Sequence, residues 1–222
     1  MLLKAIALLP LTALAAQAAT IGSTASQAPI TGYSVYVPEW EVQAFPGGEI
    51  QIIGGTVEQV LDELRKINPN YDEDFGIGNV TESGLTDIVG PKADFEGAAT
   101  VCDGWELANT ARIREGISHL DGVDGKPHRG AGPASCGRVS CSYNSAIWWC
   151  NDVSDLDFNH LPSDPADKWI KDTKAKELNS FREISDGALY VIKKCRVGES
   201  TRVAGQAFHK DNWNVIVRWA RC

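Results

Sequence analysis

Residues 135–152 read SCGRVSCSYNSAIWWCND and hold Cys136, Cys141 and Cys150 within fifteen positions. Sulfur at that density could ligate a metal, attack a substrate or close disulfides. Zinc sites favour C-x2-C pairs or nearby histidines. The spacings here are C-x4-C and C-x8-C, and His119, His128, His160 and His209 are scattered and match no ligand motif. The residues call for neither a metal nor a cofactor. Together with Cys102, Cys195 and Cys222 the cysteines number six. An even set predicts three bridges with no thiol left to act as a nucleophile. No G-x-S-x-G elbow is present, so acyl-enzyme chemistry has no visible carrier.

The other chemically suggestive sets are weaker. Asp155, Asp157 and Asn159 begin like a calcium loop. His160 stands where glycine should turn the chain, however, and Ala166 where a bidentate glutamate belongs, so a solvated acidic loop is the better reading. A secreted ribonuclease needs a general acid, a general base and a cation for phosphate. His119, Glu115, His128 and Arg129 supply those types, but His119 falls inside an amphipathic helical pattern. We therefore assign no catalytic residue. Lys126, His128, Arg129 and Arg138 form a local cationic loop in an otherwise acidic chain, a candidate contact for an acidic partner. Trp105 and Trp149 are expected to be partly exposed, with Trp149 a candidate aromatic platform for a wall or carbohydrate target. Trp148, Trp213 and Trp219 are assigned to the core.

The compartment follows from the first eighteen residues, MLLKAIALLPLTALAAQA. One early cation, an apolar run and a small-residue end read as a secretory signal peptide at 1–18, so the mature protein is expected to be extracellular. No later window is apolar enough for a membrane span, and a monomer without an anchor is expected. The whole chain carries a net charge of −8. Residues 20–100 hold 13 acids against 3 bases, whereas residues 101–222 hold 16 against 17. So acidic a chain lacks the cations that displace phosphate counterions, and nucleic acid is not an expected partner.

These residues must be positioned by two segments. An acidic, cysteine-free part at 19–96 reads strand, strand, helix. YSVYVPEWEVQAF and EIQIIGG flank a PGG turn. TVEQVLDELRKI follows with Val57, Val60, Leu61 and Leu64 on one face, a Thr56/Gln59 capping box at its start, and Asn68-Pro69 at its end. Residues 72–96 read as a loop or linker carrying Asn79-Val80-Thr81, a glycosylation acceptor. This part is expected to be a subdomain or a pro-segment, with retention favoured because its one basic pair, Arg65-Lys66, sits inside the helix.

All six cysteines lie in the second part, 97–222. Asp103 with Glu106 marks a helix start, and Ile113, Ile117 and Leu120 share its apolar side. A glycine-rich loop leads to a strand, CSYNSAIWW, with Tyr143, Ile147 and Trp149 on one face and Ala146 and Trp148 on the other. A helix over KELNSFREISDGALYVIKKC and a hairpin, RVAGQAF to WNVIVRWARC, complete the chain. The order predicts an α+β sandwich, two helices on one face of an antiparallel sheet, preceded by the ββα segment. A strand apolar on both faces needs cover on both. The acidic segment is expected to supply part of the second.

VCDGWELA, SCGRVSCSYNSAIWWCND, FREISDGALYVIKKC and AGQAFHKDNWNVIVRWARC together resemble fungal secreted cysteine-rich proteins. The likeness is to the superfamily joining smut-fungus killer toxins with necrosis-inducing-factor effectors, over residues 98–222. It implies a Cys102–Cys195 bridge, a bridge from Cys222 to Cys141 or Cys136, and a local third bridge with Cys150. In the chain-entropy picture, closing the first loop stabilises by about 4–5 kcal/mol. Together with the signal peptide, the six-cysteine α+β pattern and the absence of catalytic motifs, the resemblance leads us to expect a secreted, non-enzymatic effector or toxin-like protein acting on an unknown protein, membrane-channel or cell-wall target. A ribonuclease-like hydrolase and a wall-binding module are the alternatives.

Overall fold

The structure, a computed structural model, describes residues 28–77, 93–128, 134–152 and 176–222 other than 197 and 199. The fold is α+β. Its main sheet has six strands in the order β1-β7-β8-β11-β10-β4: Ser34–Tyr36, Ser135–Ser142, Ser145–Asn151, Trp213–Trp219, Gly205–His209 and Thr100–Val101. All neighbours are antiparallel except β1 on β7. Helices α3 (Thr110–Gly122) and α4 (Arg182–Cys195) pack on one face. A three-stranded sheet lies beside them, in the order β3 (Ile50–Gly54), β2 (Glu39–Gln43), β6 (Gly125–His128). Helix α1 (Val57–Ile67), the short α2 (Tyr71–Asp74) and the bridge between β5 (Ala108–Asn109) and β9 (Arg202–Val203) complete it.

The acidic segment is built into this frame. Its first strand extends the main sheet through the Tyr36–Gly137 register, and its second pairs with β6. Gly137 is needed there, because a Cβ would stand 2.7 Å from the Tyr36 ring. One core joins Trp40, Val42, Val57, Leu61 and Leu64 of that segment to Ile113, Ile117, Phe181, Ile184 and Trp149. The Trp40 and Phe181 rings lie 4.4 Å apart between centroids, and the Trp40 indole N–H donates to Gly55 O at 2.7 Å.

Several sequence readings are corrected. CSYNSAIWW is not one strand: it spans the end of β7, the turn and most of β8 in a hairpin over residues 135–151. Tyr143 and Asn144 take positive φ of 47° and 57°, the twist a two-residue hairpin turn requires, and Tyr143 is exposed rather than inward-facing. Helix α3 begins at Thr110, not near Asp103. Asn109 caps it, its Oδ1 accepting from the N–H groups of Ala111 and Arg112. Part of the presumed glycine-rich loop is strand β6, which forms because Gly125 at φ 133° brings its backbone against Glu41 O. YSVYVPEWEVQAF is two strands interrupted at Val37-Pro38, since proline cannot donate to a ladder.

The two-faced strand is β8. Ile147 and Trp149 enter the helix-side core, while Ala146 and Trp148 join the Cys136–Cys150 bridge and Ile216 on the far side. The far side is covered by coil, with Ile30, Tyr33 and Trp105 packed on it. Pro29 O accepts there from the Trp105 indole and from Arg218. The acidic segment thus lends cover to both faces.

Candidate functional site

The bridges are Cys102–Cys195, Cys136–Cys150 and Cys141–Cys222, and no described cysteine is free. The first ties the chain before α3 to the end of α4. The second crosses the β7–β8 hairpin at a directly opposed pair. The third holds the C-terminal end to β7. These covalent ties fix both ends of the frame that displays the surface.

The cationic residues do not form one open site. On β6, Lys126 and His128 share a carboxylate of β2: Glu41 lies 3.4 Å from Lys126 Nζ and 2.7 Å from His128 Nδ1. The His128 hydrogen bond, with Lys126 beside it, holds the Glu41 carboxyl below the usual range. Arg138 lies on the far face of the main sheet, donating to Arg221 O at 2.7 Å with its guanidinium over the Trp148 ring. Burial lowers its pKa. Arg129 and Asn79 lie outside the described residues, as do Asp155, Asp157, Asn159, His160 and the stretch 1–18 read as a signal peptide.

The tryptophan assignments also change. Trp149 is 1 % exposed, packed edge-on against Tyr36, and cannot serve as a surface platform. Trp219, assigned to the core, is 38 % exposed. Gly137, opposite Trp149 in β7, leaves room for the Tyr36 ring, which packs edge-on against the indole.

The ribonuclease-type set is divided among separate partners. Glu115 accepts with both oxygens from one guanidinium nitrogen of Arg112, at 2.7 and 2.9 Å. His119 faces Glu58 of α1, 4.0 Å away. Glu58 accepts from Ser140 Oγ at 2.6 Å and from the Cys141 N–H at 3.2 Å. Burial pushes its carboxyl up, but His119, Ser140 and Thr56 outweigh that and leave it below the usual range. A bulge between Arg138 and Ser140 aims Ser140 at it. Among the described residues no group of His, Cys, Asp and Glu is arranged to hold a metal ion.

What sequence reasoning missed is an apolar edge that the described residues leave uncovered. Strand β3 is the end strand of the small sheet. Its outward side chains, Ile50 and Ile52, are 65 % and 55 % exposed. Val37 continues the strip, 3.7 Å from where a Gly54 Cβ would stand. The signal was available: IQIIG has too many apolar residues for a strand with one buried face. No helix among the described residues is long and apolar enough to cross a membrane. Comparison of the chain with protein-family models, characterised proteins and solved structures gives no match.

Proposed function

We propose that the chain is a secreted, non-enzymatic protein of fungal effector or toxin-like type, which acts outside the producing cell by binding a target. The observation that carries this reading is an apolar strand edge, uncovered among the described residues, on a disulfide-braced frame. Exposed apolar strips on rigid scaffolds mark recognition surfaces. The test is to apply pure protein to plant tissue and to competing fungi, recording necrosis and growth. A response at concentrations where a reduced and alkylated control is inert supports the reading. Turnover of RNA or a glycan at an enzymatic rate, lost on replacing His119 or His128, overturns it.

A ribonuclease-like hydrolase is the second reading, favoured by the approach of His119 to Glu58. Against it, the two Glu58 oxygens already accept from Ser140 and the Cys141 backbone.

A further inference from the structure

The open side of β3 offers main-chain groups as well as side chains. Gly55 N–H donates to Pro38 O, which sets the phase of the β2–β3 ladder. By the antiparallel alternation, the backbone groups of Gln51 and Ile53 face β2, whereas those of Ile50, Ile52 and Gly54 face outward. Among the described residues those outward groups have no hydrogen-bond partner. Sheet edges are ordinarily blunted by lysine, proline or a bulge. IQIIG has none of these.

The charge around the edge is one-signed. Glu39 lies on the outward face opposite Gly54, and Glu49 directly precedes the strand; both are exposed and without an ionic partner among the described residues. The nearby cations, Lys126 and His128, are taken up by Glu41. The complementary occupant is therefore basic at its ends and apolar between them. A second copy fits poorly. Antiparallel self-pairing about Ile52 would bring Glu49 of one copy toward Glu39 of the other, between chains each of net charge −8.

We propose that β3 takes up an extended, apolar, lysine- or arginine-flanked segment of another protein as an added strand. Main-chain bonds to Ile50, Ile52 and Gly54 would give affinity. Alternate side chains packed on Ile50, Ile52 and Val37 would give selectivity. This rests on the reading of the chain as a binding protein and names the kind of partner.

The probe is a fluorescein-labelled peptide in which valine alternates with threonine between terminal lysine pairs, titrated with the full chain by anisotropy. Saturable binding is expected, weakened about tenfold by Ile52→Lys and by exchange of the lysines for glutamates, a loss of about 1.4 kcal/mol. Ile52→Thr, which keeps a β-branched residue in the strand, is expected to weaken it about threefold. N-methylation of the peptide residues facing β3 should abolish binding, and methylation of the alternate residues should not. Equal binding by the variants at unchanged melting temperature, or by both methylated peptides, overturns the proposal, as does absence of saturable binding. A concentration-dependent dimer lost in Ile52→Lys assigns the edge to a second copy and also overturns it. If Ile52→Lys loses the peptide but keeps the tissue or growth response, the edge proposal falls and the binding-protein reading stands. Enzymatic turnover sinks the latter whatever the peptide does.

Discussion

Removing the Glu58 carboxylate tests how the acidic segment is fastened to the disulfide-bonded sheet. Its oxygens join the first turn of α1 to the β7 bulge through Ser140 Oγ and the Cys141 N–H. Ser140 is buried, and a Cβ on Gly116 would meet its hydroxyl, so the hydroxyl has little room to turn elsewhere. Hydrogen bonds to a charged acceptor contribute about 1.5–3 kcal/mol each, and an orphaned buried donor costs about 1–3 kcal/mol. Water can reach part of the site, so we expect Glu58→Ala to cost about 3 kcal/mol and Glu58→Gln about half that. For a chain of this size that lowers the melting temperature by about 6–12 °C for alanine. The folded pKa lies below the unfolded value. The contribution is therefore fully present above the ordinary carboxylate range, about 4.3, and lost as pH falls through the depressed folded value. Thermal melts of wild type, Glu58→Ala, Ser140→Ala and the double variant, from neutral to acid pH, measure it. A gap between wild type and Glu58→Ala that closes in acid, with coupling to Ser140, is the expected result. Additive effects, or a gap independent of pH, would refute the reasoning.

Other outcomes follow from the same geometry. Cys136 and Cys150 are fully buried, whereas Cys102 and Cys222 are exposed. Mild reduction of the native protein should therefore open Cys102–Cys195 and Cys141–Cys222 and spare Cys136–Cys150, as read by alkylation and peptide mapping. Burial raises the pKa of Asp152, against hydrogen bonds from Asn214 and Tyr33, and the Tyr33 hydroxyl is pushed up to about 12. The Asp152 carboxyl thus supports the fold below the ordinary aspartate range and loses that support as pH rises through its raised folded value. Asp152→Asn should be more stable than wild type at neutral pH, and a gap between the two that is the same at pH 4 and pH 7 would contradict this. Gly187 lets α4 approach β11, where a Cβ would stand 2.5 Å from Val215 Cγ2. Gly187→Ala should cost about 1–3 kcal/mol by overpacking despite its better helix propensity. Denaturant titration reads this.

The elements legible in the sequence are those whose signal is local. The α1 capping box and its apolar face at Val57, Val60, Leu61 and Leu64 stand where the residues place them. The C-terminal part of the predicted second helix stands as α4, although it starts at Arg182 rather than near Lys176. Trp213, Val215 and Val217 alternate into the core along β11, whereas Trp219 at its end does not. What was not legible depends on partners remote in sequence. Residues 125–128 look like loop, because their strand character comes from pairing with β2, more than eighty residues earlier. Trp149 resembled a surface residue because nothing nearby in sequence announces the Tyr36 ring and the helices above it. Lys126 and His128 looked like open charge because Glu41, which answers both, lies in the other segment. The exposed face of β3 could be read as apolar but not as uncovered, since that depends on which strand lies at the sheet end.

The account stands on the acidic segment being a working part of the molecule, since it supplies β1, the part of the core around Trp40 and α1, and the β3 edge. The intact mass of the protein isolated unreduced from its source tests this directly. The account predicts a chain that begins upstream of Pro29, continues through Cys222 and lacks the six hydrogens lost to three bridges. A product that begins beyond Ala93 would contradict it.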